Sequence, residues 1–142
     1  MGRKRTAAPR EVFLSHSHWD HPFTQKLAKT LREHGIACWY AEKDIRGAEQ
    51  WHREIGDALQ RCDWFLVVLT PEAVDSTWVE RELIYALRKE RYNGRVIPLL
   101  RKDCDYENLS WTLPALQIID VRKKYGDALR ELLRIWGIGY RG

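Results

Sequence analysis

Apolar residues along the chain fall into two patterns, short continuous runs and longer stretches with helical spacing. Five runs predict strands, at residues 11–15, 36–40, Trp64–Leu69, 95–100 and 116–121. Between the runs, apolar residues recur every three or four positions, which predicts helices. The residues predicted to form the buried helix faces are Phe23, Leu27, Ala28, Leu31, Trp51, Ile55, Ala58, Leu59, Val79, Leu83, Ala86, Leu87, Ala128, Leu129, Leu132 and Leu133.

The run Trp64–Leu69 has no polar position, so we expect a strand buried on both sides, at the centre of a parallel sheet. Strands that alternate with helices predict a flavodoxin-like, doubly wound α/β domain with helices on both faces. Pro98 cannot donate to a ladder, which places the fourth strand near an edge or a bulge. If the strand order is 2-1-3-4-5, it reverses between the first and the third strand. Ligands bind such sheets at the carboxyl ends of the strands, here at residues 16–20 and 70–77.

Several residues predict where local elements begin and end. Asp20 is the expected cap of the first helix, which Gly35 ends. The helix predicted over residues 78–92 begins after Ser76 or Thr77, either of which can cap it. Residues 102–114 predict a polar loop with Trp111 as its hydrophobic anchor.

The composition predicts one globular domain, since 142 residues with 44% hydrophobic and 31% charged content can bury one core. Residues 1–10 predict a basic, flexible arm, residues 11–136 the domain, and residues 137–142 a short tail.

Three cysteines without a C-x-x-C pair predict reduced thiols and a cytoplasmic protein. Beyond the arm, basic residues are interleaved with acids, so no nucleic-acid partner is expected. The arm also fits a myristoylation pattern at Gly2, a minor alternative, and we expect no membrane partner.

Glu82 is the first candidate for chemistry. It lies at the border of the apolar stripe of its helix, with Trp78 four residues before it and Tyr85 three after it. A carboxylate held among aromatic side chains loses hydration, so it requires a partner or a function. The alternative interpretation is a surface glutamate paired with Arg81 or Lys89.

A second pattern is H-x-H-x-D-H, formed by His16, His18, Asp20 and His21. It matches the signature of metallo-β-lactamase-like hydrolases and suggests a metal-dependent hydrolase as a remote alternative. That fold is larger than this chain, and further ligands are missing downstream, so we expect no metal. No G-x-G-x-x-G or G-x-x-x-x-G-K-[ST] follows a strand, which excludes Rossmann and P-loop phosphate sites.

Three segments together resemble a TIR (Toll/interleukin-1 receptor) domain of the bacterial kind. The first segment is residues 12–17 with Asp20. The second is residues 35–40, followed by Glu42, residues 45–47 and Trp51. The third is residues 65–71, followed by Ser76, Trp78, Glu82 and Leu83. The similarity covers residues 11–136. The second segment departs from the family in its loop, where Ala41 stands at a position that is often acidic and residues 46–49 read RGAE.

The resemblance implies an NAD+ nucleosidase that breaks the nicotinamide–ribose bond, with NAD+ as substrate and no cofactor. In that family Glu82 matches the catalytic glutamate and Trp78 an aromatic residue of the substrate cleft. We expect Glu82 to be ionised, and His16 and Ser17 to contact the nicotinamide riboside. Homotypic self-association through the loop at residues 41–50, with Glu42, Asp44, Arg46 and Gly47, is also implied. The role that the resemblance implies for this activity is in immune or stress signalling. The alternative function is a non-catalytic TIR interaction and signalling module that acts through homotypic TIR contacts.

Overall fold

Five parallel strands form one sheet in the order 2-1-3-4-5, as predicted. The strands are β1 (Val12–Ser15), β2 (Cys38–Trp39), β3 (Trp64–Leu69), β4 (Val96–Leu100) and β5 (Ile119–Asp120). They belong to a computed structural model that describes residues 8–41 and 48–142. β3 is buried along its whole length and pairs with β1 and β4, because an entirely apolar strand is stable only between neighbours and covered faces.

The two edge strands are shorter than predicted. The runs at residues 36–40 and 116–121 yield only Cys38–Trp39 and Ile119–Asp120 as paired strands. An edge strand has a partner on one side alone, so apolar residues beyond the ladder are buried by packing rather than by pairing. Pro98 lies in β4, and β4 is the neighbour of the edge strand β5. This agrees with the predicted position near an edge, because proline has no N–H group to donate to a ladder.

Five helices cover the sheet in the described part of the chain: α1 (His21–Glu33), α2 (Ala48–Arg61), α3 (Pro71–Val74), α4 (Thr77–Arg88) and α5 (Tyr125–Ile135). α1 and α5 pack on one face of the sheet, and α2 and α4 pack on the other. The predicted faces of α1, α4 and α5 are buried at Leu27, Leu83 and Leu132. The side chain of Trp51 lies outside the described residues. None of these helices has the length and apolar content that a membrane crossing requires.

Two helix boundaries differ from the prediction. Residues 70–77 contain the short helix α3, because Pro71 at its first turn is compatible with a helix start and Thr70 caps it. The helix predicted over residues 78–92 ends at Arg88, and a 3-10 turn, Glu90–Tyr92, follows an extended Lys89. Gly35 does end the first helix, with a φ of 80° that favours glycine.

The long loop is anchored differently from the prediction. Trp111 is 84% exposed, so the prediction that it anchors the loop was wrong. Leu109 and Leu113 are the buried residues there, and both pack into the core between the sheet and α2 and α4. The predicted domain limits stay a prediction, and residues 1–7 of the basic arm lie outside the described part.

Candidate active site at the carboxyl edge of the sheet

α4 carries Trp78 and Glu82 one turn apart on the same side of the helix. Its start is held by Ser76, whose Oγ accepts a hydrogen bond from the Val79 N–H at 3.2 Å, as the sequence predicts. Trp78 is half-buried and Glu82 is only 8% exposed. The helix therefore holds a buried carboxyl and an aromatic ring close to the ends of β1 and β3.

Among the residues that the structure describes, the carboxyl of Glu82 has one hydrogen-bond partner, which lies on another element. The Ser15 hydroxyl, at the end of β1, donates to Oε1 of Glu82 over 2.6 Å. Arg81 instead lies over the Trp78 ring and Lys89 over the Tyr85 ring. The interpretation of Glu82 as a surface residue in an ion pair was therefore wrong.

Burial decides the protonation state of Glu82. Desolvation raises the pKa of its carboxyl to about 8, and the Ser15 hydrogen bond offsets this only in part. At pH 7 the neutral carboxyl predominates, so the prediction of an ionised Glu82 was wrong for this environment. A nearby positive charge would favour the carboxylate and lower this pKa.

Two side chains from different helices lie close to the Trp78 ring. Its ring centroid lies 5.9 Å from that of His52 on α2, and the Arg81 guanidinium lies 5.6 Å from the Trp78 ring. The sequence analysis did not identify His52 as part of this region. Helical spacing within one helix cannot reveal a ring contact between α2 and α4.

His16 follows Ser15 but contacts a different group of residues. Its Nε2 lies 3.3 Å from Nδ1 of His21, and both rings pack against Tyr40. Burial lowers the pKa of His16 to about 4, so the imidazole is neutral at physiological pH. Tyr40 belongs to the core on the α1 side of the sheet, whereas Ser15 bonds to Glu82 on the α4 side. A substrate contact for His16 stays a prediction.

Ser17 and Asp20 form a buried network rather than a free surface. Oδ2 of Asp20 accepts hydrogen bonds from the hydroxyls of Ser17 and Thr70, and Thr70 Oγ1 accepts from the Ala73 N–H. Asp20 is the N-cap residue of α1, as predicted, but its side chain makes no capping hydrogen bond to that helix. Its side chain joins the loops after β1 and β3, a contact across 50 residues that a local pattern does not show. The predicted role of Ser17 in binding substrate is untested.

The H-x-H-x-D-H residues do not converge. His16 and His21 face each other, whereas Asp20 is directed towards Ser17 and Thr70. Within residues 8–41 and 48–142, no group of three or more His, Cys, Asp or Glu side chains is arranged to hold a metal ion. That no metal binds here stays a prediction. The loop residues Glu42, Asp44, Arg46 and Gly47 lie outside the described residues.

Comparison with known proteins places this chain in a family. Residues 12–133 match the family model described as the TIR domain. An NAD(+) hydrolase of Paracoccus denitrificans is 29% identical over 99 residues, which are 68% of this chain and 33% of the relative. A 2′ cyclic ADP-D-ribose synthase of Bacteroides thetaiotaomicron is 27% identical over 61% of this chain and 31% of the relative. The chain spans about a third of the length of these curated relatives.

Solved structures support the same fold. The TIR domain of the Toll-related receptor TRR-2 from Hydra magnipapillata superposes with a TM-score of 0.70 at 20% identity, over 87% of this chain and 94% of that domain. The TIR domains of the activated Roq1 resistosome superpose with a TM-score of 0.66 at 20% identity, over 88% and 98% of the two chains. At this identity the likeness shows the fold alone.

Proposed function

This chain belongs to the TIR domain family, and from that premise we propose that it cleaves NAD+ at the bond between nicotinamide and ribose. The products are nicotinamide and either ADP-ribose or a cyclised ADP-ribose. The observation that carries the proposal is the buried carboxyl of Glu82, one helical turn from Trp78 at the carboxyl edge of the sheet. Relatives named as an NAD(+) hydrolase and a 2′ cyclic ADP-D-ribose synthase support it.

The proposed reaction requires a negative charge rather than an acid. The nicotinamide ring of NAD+ is cationic and leaves as a neutral molecule, so no proton donor is needed at the leaving group. Positive charge then develops on the ribose, as in other glycosidic cleavages. The carboxylate of Glu82 stabilises this charge, and water or a hydroxyl of the same molecule attacks the ribose carbon while one proton is released.

The substrate itself favours the active protonation state. Glu82 is mostly neutral at pH 7 because its pKa is about 8. The positive nicotinamide ring, bound close to the carboxyl, lowers that pKa and favours the carboxylate. Half-buried Trp78 limits the access of water, which strengthens the interaction between the two charges. In this proposal His16 and Ser17 contribute to the nicotinamide riboside end of the site.

We further propose that the domain acts as a self-associating unit in cytoplasmic immune or stress signalling, including antiphage defence. The contact involves the loop of Glu42, Asp44, Arg46 and Gly47. A second copy over that loop would exclude water from the region of Glu82 and hold the ribose in place. If turnover per molecule stays constant across a wide dilution series, self-association is not needed for activity.

Product analysis tests the main proposal. The purified chain at high concentration is incubated with NAD+, and nicotinamide, ADP-ribose and cyclic isomers are separated and identified by mass spectrometry. We expect nicotinamide in equimolar amount to ADP-ribose plus any cyclic product. An unchanged NAD+ pool over a wide range of protein concentrations would favour the non-catalytic interaction module instead.

A further inference from the structure

We propose that Ser15 is a positioning residue for Glu82, whose hydroxyl orients the carboxyl and favours its ionised form. The inference rests on the proposed function for its catalytic consequence, although the effect on the carboxyl can be measured without any activity. In the proposed function Glu82 is the residue that faces the reacting ribose, and Ser15 acts through it.

The position of Ser15 is determined by the sheet rather than by a loop. Ser15 is the last residue of β1, is 1% exposed, and pairs with Val67 of β3. Successive side chains of a strand point to opposite faces, so Ser15 shares the α4 side of the sheet with Phe13. β1 pairs with β2 only at its first two residues but with β3 along its whole length, so its end is held by the ladder with β3. The hydroxyl is therefore presented to α4 from a rigid element.

The geometry of the bond favours a charged acceptor. Ser15 Oγ and Glu82 Oε1 are 2.6 Å apart, within the range of hydroxyl–carboxylate bonds, which are shorter than bonds between neutral groups. A hydroxyl that donates to a carboxylate stabilises the ionised form. This bond acts on the pKa of Glu82 in the direction opposite to burial. Because the Ser15 hydroxyl is the one partner of this carboxyl within residues 8–41 and 48–142, the protonation of Glu82 is sensitive to that group.

Other ionisable groups in the neighbourhood are engaged elsewhere. His16 follows Ser15 but packs with His21. On α4, Arg81 lies over Trp78, and on α2, His52 contacts the same ring. Among the residues that the structure describes, burial and the Ser15 bond are the two influences on the pKa of Glu82. Removal of the Ser15 hydroxyl should therefore leave burial as the remaining influence on the pKa of Glu82.

A titration of the carboxyl tests the proposal directly. Protein labelled with 13C at the glutamate carboxyls is titrated from pH 5 to 10 by NMR, and the Glu82 signal is identified by its loss in Glu82→Gln. In Ser15→Ala we expect the midpoint of Glu82 to move upward by about one pH unit or more. Ser15→Thr keeps the hydroxyl and should leave the midpoint close to that of the wild type.

A control variant separates this effect from general destabilisation. Tyr92→Phe removes another buried hydroxyl, which donates to the Leu59 carbonyl and does not contact Glu82. It should leave the Glu82 midpoint unchanged. If Ser15→Ala does not fold, Ser15→Cys replaces it, since a thiol is a weaker donor of similar size, and an upward shift is again expected. An unchanged midpoint in the folded variant would overturn the proposal.

Kinetics link the carboxyl to the reaction. In Ser15→Ala the rise of kcat/KM with pH should move upward by the same interval as the midpoint, with about a tenfold loss at pH 7 for each unit. A uniform loss at every pH, with an unchanged midpoint, indicates a purely structural role and overturns the proposal. If the wild-type protein leaves NAD+ intact, the proposed function fails, whereas the titration still decides the role of Ser15.

Discussion

Two carboxyl groups are buried at the same edge of the sheet, and their environments differ. Asp20 is 6% exposed, and one of its oxygens accepts hydrogen bonds from Ser17 and Thr70. Glu82 is 8% exposed and, in the described part of the chain, accepts one hydrogen bond, from Ser15. Asp20 connects two loops, whereas Glu82 connects a helix to the end of a strand.

The difference indicates a division between structural support and chemistry. A buried carboxyl with several donors contributes to the structure, because its loss leaves more than one polar group without a partner. A buried carboxyl with one donor has oxygen lone pairs left for a substrate, and its charge responds to a cation placed next to it. Changes to Asp20 should therefore affect stability first, and changes to Glu82 activity first.

The largest effect is expected for Glu82→Gln. Glutamine has almost the same shape and still accepts a bond from Ser15, but it lacks the negative charge that the ribose cation requires. We expect NAD+ cleavage to fall by about a hundredfold to a thousandfold with the fold retained, measured by steady-state kinetics and circular dichroism.

Glu80→Gln is the matched control, since Glu80 lies on the same helix and is exposed. It should keep wild-type rates. Wild-type turnover in Glu82→Gln would show that the chemistry lies elsewhere, and unfolding of Glu82→Gln would make Glu82 a structural residue like Asp20.

The second prediction concerns the pH dependence of activity. The pKa of Glu82 is raised to about 8, so the ionised fraction increases about tenfold per pH unit below that value and levels off above it. If the carboxylate is the active form, kcat/KM should rise by roughly fiftyfold from pH 6 to pH 8, because it reports the free enzyme. Initial rates in constant-ionic-strength buffers measure this. A profile that falls over the same range would mean that the neutral carboxyl is the active form.

The third prediction tests the structural side of the comparison. Asp20→Ala removes the shared acceptor of Ser17 and Thr70 and should lower the free energy of unfolding by about 2 kcal/mol, since hydroxyls left unpaired in a buried site are costly. Urea denaturation measures the difference. Asp75→Ala, at an exposed position on the same edge of the sheet, is the control and should change stability by less than about 0.5 kcal/mol. Equal effects of the two variants would contradict the network.

The smallest effect is expected for Trp78→Ala. The carboxyl of Glu82 remains, but the proposed site loses the aromatic ring that lies near His52 and Arg81. We expect KM to rise by about five- to tenfold, or the ratio of cyclic to linear product to change, with kcat reduced less than in Glu82→Gln. Product analysis over a range of NAD+ concentrations checks this. A complete loss of activity would show that Trp78 is as important for the reaction as Glu82.

Local patterns in the sequence were sufficient for the existence of the strands and for the helix that carries the candidate site. The apolar run of β3, the helical spacing in α4 and the cap at Ser76 each depend on residues that are close together in the sequence. Such interactions act in almost any tertiary context, so the five strands and the shared side of Trp78 and Glu82 were predicted correctly. The order of the strands agrees with the expectation too, but it depends on pairing between distant segments and not on local patterns. The same reasoning could not give the ends of β2 and β5, where pairing depends on a neighbouring strand.

Tertiary structure decided the state of each candidate group. Ser15 and Glu82 are 67 residues apart, and Asp20 and Thr70 are 50 residues apart, so neither contact leaves a periodic signal in the sequence. The pKa of Glu82 depends on how completely surrounding elements exclude water, and the exposure of Trp111 depends on which neighbours in its loop reach the core. The sequence alone determined which residues could take part in the chemistry. Long-range packing decided which of them are charged, bonded or exposed.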